Sequence, residues 1–275
     1  MSTTWEPDLV PAELLALTHR LGDPARDLVV LAEGNTSQLL PDGRVVVKAS
    51  GSSMRTATAA DFVVVDPGAL LALADDPAAD QDALTAALDA GEHDGRRRRA
   101  SIETLVHVAV QRLCATPFVG HTHPTAVVGV LASVHAATAW DRHVYSDEAV
   151  VVGRPLFVPY ASPGIELGRA YLAALARHHA EHGQVPQLVL LGNHGIVVNA
   201  ATPAAVDAVT EMAVKGARVR AAAYAAGGLA PLPAASVERF SARADVAERR
   251  RVLGVPGGHP AAPNPPPTGT TGEEP

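Results

Sequence analysis

Imidazole is the side chain best suited to hold a transition metal near neutral pH, and three of the chain's 12 histidines stand in settings that suit one ion. His121 and His123 lie two apart in Val119-Gly120-His121-Thr122-His123, which reads as the end of a strand. Alternation along a strand sends both rings to one face, where they can converge on a metal. The same spacing also describes two polar residues at a sheet edge. His194 follows the apolar run Leu188–Leu191 within Gly192-Asn193-His194-Gly195, and the flanking glycines are expected to supply the sharp turn that keeps its ring approachable. Three neutral imidazoles would leave Zn2+ its full charge and an open coordination position, the pattern of a catalytic site. Such an ion polarises an oxygen as a Lewis acid. Imidazole favours Zn2+ over Mg2+, with Mn2+, Co2+ and Fe2+ as alternatives.

Glu103, in Ser101-Ile102-Glu103-Thr104, falls in the first turn of an expected helix that Ser101 can cap. An acidic residue there has a structural explanation. Beside a tri-histidine site it could also ligate the metal at rest and act as general acid/base when substrate displaces it. His107, one turn on, is placed either to hydrogen-bond Glu103 or to pack as a satisfied, semi-buried histidine. Gly34, Asn35, Ser50, Gly51 and Ser101 together offer small hydroxyls and backbone N–H groups suited to a phosphate or carboxylate. The Arg96–Arg99 run could reinforce that site, although a solvated loop is the default for a charge cluster.

The elements that must position these residues follow from apolar spacing and turn chemistry. Asp8 is expected to cap a first helix carrying Leu14, Leu15, Leu17 and Leu21, after which Val29-Val30-Leu31 runs into the polar turn 33–37, a candidate binding loop. Gln38–Leu40 and Arg44–Lys48, joined through Pro41-Asp42-Gly43, form a hairpin signal. Further strands are expected at Phe62–Val65, Val119–His123, Ala149–Val152 and Leu188–Leu191, the last continuing past Gly195 as Ile196-Val197-Val198. Helices are expected at Ser101–Leu113, from Pro124, at Gly164–His179 and at Pro203–Ala226. Cys114 reads as a small core residue, Tyr160 as packed in a Pro-rich turn, and His178, His179 and His182 as a helix-end cluster.

The chain has 275 residues, 47% hydrophobic and 19% charged, which excludes disorder, collagen and coiled coil as whole-chain descriptions. A net charge of −7 argues against nucleic acid or anionic lipid as partner. One cysteine allows no internal disulfide and no cysteine-rich zinc module. The amino-terminal residues lack a secretory pattern, so the expected location is cytoplasmic. The nearly uncharged stretch 124–140 is too short to span a membrane and reads as buried interior. Short strands interleaved with helices give one α/β domain over residues 8–230, followed by a possible terminal helix within 231–253. Residues 254–275, in which Pro and Gly supply 12 of 22 positions, are expected to be a disordered tail.

Six patterns in register resemble the class II aldolase/adducin family: Gly34-Asn35-Thr36-Ser37, Lys48-Ala49-Ser50-Gly51, Ser101-Ile102-Glu103, His121-Thr122-His123-Pro124, Pro159-Tyr160-Ala161-Ser162-Pro163-Gly164 and Asn193-His194-Gly195. The resemblance implies a single-domain α/β/α sandwich with a central, largely antiparallel sheet, assembled as a cyclic homotetramer with the site near a subunit boundary. It implies a fuculose-phosphate-aldolase-like, zinc-dependent lyase. His121, His123 and His194 would hold the metal, and Glu103 would shuttle the proton. Gly34, Asn35, Ser50, Gly51 and Ser101 would bind the anionic end of a sugar or sugar phosphate. Carbon–carbon cleavage would pass through a metal-stabilised enediolate. Glu103, where the pentulose-phosphate epimerases usually carry aspartate, favours an aldolase. Ile102, where family aldolases often carry a second serine, removes one hydroxyl from the anion pocket. An epimerase, dehydratase or decarboxylase on the same metal site is the alternative, with a non-catalytic adducin-like module as a third reading. An amidohydrolase-like barrel is disfavoured by the position of His121 and by the little chain that follows it.

Overall fold

The computed structural model describes residues 2–255. Thr3–Thr4 forms a short edge strand, β1, and helix α1 (Ala12–Leu21) buries Leu14, Leu17, Thr18 and Leu21, an i, i+3, i+4, i+7 stripe. Strands β2 (Asn35–Leu39) and β3 (Val45–Lys48) make the expected hairpin across the Asp-Gly turn, and β4 (Phe62–Val65) pairs with β3. Helices α2 (Pro67–Asp75) and α3 (Gln81–Ala87) start at Asp66 and Asp80, whose side chains accept from Gly68 and Ala83 N–H groups. A separate hairpin follows, β5 (Asp89–His93) and β6 (Arg96–Arg99), leading to helix α4 (Thr104–Ala109). Strand β7 (Phe118–Thr122) and helix α5 (Thr125–Leu131) come next, then α6 (Ser146–Val151), β8 (Leu156–Val158) and the long α7 (Ile165–His182). Strands β9 (Leu188–Leu191) and β10 (Gly195–Ala200) form a third hairpin before α8 (Pro203–Ala225), α9 (Ala234–Ser241) and α10 (Ala244–Leu253).

Eight strands form one sheet in the order β1-β4-β3-β2-β7-β10-β9-β8, antiparallel throughout except for the β8–β9 pair. Central strands are Val- and Leu-rich on both faces, as expected when helices cover both. On one face Val45, Val47, Val63 and Val65 pack with Leu70, Leu105 and Val108 of α2 and α4, and Val119, Val189 and Val197 pack with Tyr171 and Leu175 of α7. On the other, Val46 and Val64 meet Leu14 of α1, while Ile196 and Val198 share a core with α5 and with Val206, Val209 and Ala213 of α8. Each such fully buried Val or Leu contributes about 1.5–3 kcal/mol. The result is the expected α/β/α sandwich with a largely antiparallel sheet. Among the described residues no helix is long and apolar enough to cross a membrane.

Several local expectations are corrected. Residues 149–151 belong to α6, with Val152 just past its end, rather than to a strand: Glu148 in its first turn is buried against Arg220 and accepts from the Val144 N–H at 2.9 Å, which commits the segment to a helix. An apolar run of four residues does not distinguish helix from strand by its period. The Arg96–Arg99 run is a strand, not a loop, because β5 supplies its ladder. Asp8 lies in a short 3-10 turn, and Pro11 precedes α1. Cys114 is exposed beyond the end of α4, and Tyr160 is exposed rather than packed. The stretch 124–140 is only partly interior, since Val134 is 96% exposed. The region 231–253 holds two helices separated at Ala242–Arg243. Of the segment read as a tail, Gly254 caps α10 and Val255 is buried; residues 256–275 lie outside the described residues.

Candidate metal centre

His121 projects from β7, the strand between β2 and β10, and its register partners are Asn35 on one side and Val197 on the other. Cross-strand partners share a face, so Asn35 and His121 stand side by side beneath the start of α4. Glu103 is the residue immediately before that helix, and Ser101 Oγ accepts from the Glu103 N–H at 3.3 Å. His123 lies just past the end of β7, its N–H held by the Leu28 carbonyl at 2.8 Å. His194 sits in the three-residue turn between β9 and β10.

That turn differs from the expectation in an instructive way. The left-handed residue is Asn193, at φ 53°, and neither neighbouring glycine has positive φ; asparagine tolerates this region better than most residues. Gly195 is required for space: a Cβ there would stand 2.4 Å from the Thr122 carbonyl oxygen and 2.8 Å from His123 Cδ2. Gly34 does need its freedom, with φ 68° and a hypothetical Cβ 2.9 Å from the His121 carbonyl oxygen.

The four side chains converge. One ligand-type atom from each of Glu103, His121, His123 and His194 lies within 4.8 Å of every other. Glu103 Oε1 is 2.7 Å from His194 Nε2, Glu103 Oε2 is 3.1 Å from His121 Nε2, and the Nε2 atoms of His121 and His123 are 2.9 Å apart. His121 Nδ1 lies 2.9 Å from the Ile196 carbonyl oxygen, a partner that can only accept, so Nδ1 carries a proton and Nε2 turns its lone pair inward. The His121 Nε2 lone pair and the Glu103 carboxylate therefore face one another at 3.1 Å, an arrangement that repels unless a cation or a proton lies between them. The donor set of three imidazoles and a carboxylate fits a divalent transition metal.

Electrostatics point the same way. Burial alone would raise the Glu103 pKa, but His121 and His194 outweigh it and hold the carboxyl well below the usual carboxylate range. Burial would lower His121, and the Glu103 carboxylate overrides it and raises it. His123 is pushed down to about 3 by burial and by the neighbouring His121.

A second layer fixes the carboxylate. The Asn35 amide donates to Ser101 Oγ at 2.9 Å and to Glu103 Oε2 at 3.1 Å, while its carbonyl accepts from His107 Nε2. His107 Nδ1 in turn accepts from the Ser37 hydroxyl at 2.8 Å. His107 thus reaches Glu103 through Asn35 rather than directly, and burial lowers its pKa to about 3, with His121 adding to the effect.

Of the residues expected to bind an anion, Asn35 and Ser101 meet at Glu103, Gly34 turns the chain into β2, and Ser50 and Gly51 form the turn after β3, where the Ser50 N–H donates to the Arg99 carbonyl at 2.9 Å. Sequence reasoning assigned no role to two groups. Glu33 Oε2 accepts from the Val30 N–H at 3.0 Å and lies 3.6 Å from His123 Nδ1, and with Asp27, Thr125 and Asn193 it borders a cavity of about 560 Å3 that opens onto His123 and His194. Lys48 ends a strand in sequence, yet its side chain is buried and its Nζ donates to the carbonyls of Ser52 at 2.5 Å and Ala49 at 3.2 Å. Burial lowers its pKa to about 8 against the pull of Asp61 and Glu103. The candidate binding loop 33–37 contains Glu33 and the pattern Lys48-Ala49-Ser50-Gly51 contains Lys48, but neither signal gave the side chain a role.

A helix-flanked, largely antiparallel sheet carrying a cluster of three histidines and one glutamate at one end of its central strands defines a class of protein. The chain belongs to the class II aldolase and adducin family, whose N-terminal-domain model matches residues 12–221. A stretch of 107 residues is 32% identical to the uncharacterised oxidoreductase YuxG of Bacillus subtilis, and the match spans 38% of this chain and 13% of that protein. Among solved structures, YgbL of Klebsiella pneumoniae, a candidate aldolase/epimerase/decarboxylase, is similar at 20% identity and TM-score 0.62 over 85% of this chain and 98% of that one. An L-fuculose-1-phosphate aldolase from Thermus thermophilus is similar at 18% identity and TM-score 0.55 over 78% of this chain and 98% of that one.

Proposed function

We propose that the chain is a zinc-dependent class II aldolase that cleaves or forms a carbon–carbon bond in a ketose or ketose phosphate. The observation that carries this reading is the inward-facing set of Glu103, His121, His123 and His194 in a member of this family. A divalent metal bound there supplies Lewis-acid polarisation of adjacent hydroxyl and carbonyl oxygens. Zinc suits three imidazoles better than magnesium does.

Within this reading His121, His123 and His194 are the ligands. Ile196 keeps His121 in the tautomer that offers Nε2. Glu103 holds the proton that moves to or from the substrate carbon, and Asn35 orients its Oε2. The cavity bordered by Glu33 and Asn193 admits the aldehyde portion, while Gly34, Asn35, Ser50, Gly51 and Ser101 receive the opposite, anionic end. Residues 8–230 form the catalytic unit, and the helices within 231–253 are an addition to it. The working assembly is a homotetramer in the cytoplasm.

The test is aldehyde release from a panel of ketose 1-phosphates and free ketoses, run with zinc-loaded protein and with Glu103→Gln. Cleavage of a panel member by the first and not the second supports the reading. Metal-dependent isomerisation, dehydration or decarboxylation without aldehyde release would replace it with another chemistry on the same site.

A further inference from the structure

The cavity of about 560 Å3 that opens onto His123 and His194 is bordered by two carboxylates, Asp27 and Glu33, neither of which belongs to the metal-centre cluster. Their settings differ. Asp27 Oδ1 accepts from the Thr125 hydroxyl at 2.9 Å. Glu33 Oε2 accepts from the Val30 N–H at 3.0 Å and stands 3.6 Å from His123 Nδ1, and among the described residues it is the one carboxylate in ion-pair range of that ring.

His123 turns its other nitrogen to the centre, where Nε2 lies 2.9 Å from His121 Nε2. To ligate through Nε2 the ring must carry its proton on Nδ1, and ligating imidazoles are held in such a tautomer by an acceptor for that proton. His121 has the Ile196 carbonyl at 2.9 Å. For His123 the group in place is Glu33. A separation of 3.6 Å is longer than a hydrogen bond, but the Glu33 side chain is 40% exposed, and a small rotation of its carboxylate closes the gap.

The turn that carries Glu33 is pinned to the ligand strand at both ends. The Leu28 carbonyl accepts from the His123 N–H at 2.8 Å, and Gly34 lies so close to His121 that a Cβ would stand 2.9 Å from its carbonyl oxygen. Between these anchors Leu31 adopts φ 52°, a left-handed conformation that an aliphatic residue rarely takes, while the Val30 and Leu31 side chains are exposed. Burial of apolar surface therefore does not explain the strained turn. What the turn achieves is the approach of Glu33 to His123.

We propose that Glu33 is a positioning residue of the metal centre: its carboxylate accepts the Nδ1 proton of His123 and holds that ring with Nε2 toward the metal. The proposal rests on the metal-centre reading, since it takes His123 as a ligand. Glu33 touches no reacting atom in this role; it fixes the orientation of one imidazole and raises its basicity. The competing role is that of a turn residue alone, acting through the Val30 N–H.

The experiment measures zinc affinity by competition with a chelating dye, and melting of the metal-free protein, for the full chain and for Glu33→Ala, Glu33→Gln and Asp27→Asn. Glu33→Ala should bind zinc about tenfold more weakly, and Glu33→Gln, which keeps a neutral acceptor, should recover part of that loss. Asp27→Asn removes the same charge from the same cavity and keeps an acceptor for Thr125, so its zinc affinity should match that of the original chain. Unchanged zinc affinity in Glu33→Ala, with or without a lower melting temperature, reduces Glu33 to a turn residue and overturns the proposal. An equal loss in Asp27→Asn overturns it too, because charge alone would then be the cause. Should Glu33→Ala fail to fold, proton NMR of the zinc-loaded protein decides: the His123 Nδ1 proton should give a downfield resonance that moves upfield in Glu33→Gln, and a resonance that stays in place overturns the assignment. No zinc uptake by the original chain would instead defeat the metal-centre reading itself, a result the dye titration separates from all the others.

Discussion

Gly195→Ala is the substitution whose effect can be worked most fully from the structure. Gly195 has no positive φ, so alanine meets no backbone penalty there, and the whole effect is steric. Its Cβ would lie 2.4 Å from the Thr122 carbonyl oxygen and 2.8 Å from His123 Cδ2, where ordinary contact begins at 3.4 Å. The imidazole must therefore retreat by roughly 0.6 Å and the carbonyl by roughly 1 Å. The carbonyl belongs to a ladder residue, Thr122 opposite Ile196, so most of the strain falls on His123. Metal sites tolerate ligand displacements of only about 0.2 Å. We expect a stability loss of about 1–3 kcal/mol from overpacking, a melting shift of roughly 2–10 °C for a domain of this size. Zinc affinity should fall about 10- to 100-fold, measured by competition with a chelating dye. Gly129→Ala is the control: its Cβ would meet nothing within 4 Å in mid-α5, so it should gain about 0.5–1 kcal/mol and keep its metal. Wild-type zinc affinity and melting in Gly195→Ala would refute the argument that this glycine makes room for a ligand.

Glu103→Gln should keep metal at protein concentrations near micromolar while turnover drops about 10²- to 10⁴-fold; near-normal turnover would remove the proton-transfer role. Arg220→Met leaves Glu148 buried without its guanidinium and should cost about 3–5 kcal/mol in urea unfolding, whereas Arg220→Met combined with Glu148→Leu should recover most of it. His107, neutral when folded and with its pKa lowered to about 3 by burial, binds fewer protons than the unfolded chain between about pH 3 and 6.5. Its contribution is therefore complete above about 6.5 and declines as pH falls, by about 1.4 kcal/mol per unit. Between pH 7.5 and 5 the chelated wild-type protein should lose about 2 kcal/mol more than His107→Asn, and equal losses would contradict the assignment.

The hairpin of β2 and β3, the strand bearing His121 and the helices α7 and α8 were legible in sequence because each depends on local chemistry: an Asp-Gly turn, alternating valines, a long apolar period. What escaped depends on partners distant in sequence. Ala149–Val151 became helical because Glu148 finds Arg220, 72 residues away. The arginine run became a strand because Asp89–His93 pairs with it. At the site, the type and spacing of Glu103, His121, His123 and His194 carried the reading, but the Asn35 link between His107 and Glu103 spans two elements and has no local signature. The role of Gly195 was misread as freedom to turn, since only the packed structure reveals that Asn193 makes the turn and Gly195 makes room.

The central claim is that His121, His123 and His194 hold one divalent metal beside Glu103, and elemental analysis of the purified chain beside His123→Ala tests it most directly. The account predicts close to one zinc per chain in the first and almost none in the second, with both proteins folded. No metal in either, or equal metal in both, would contradict it.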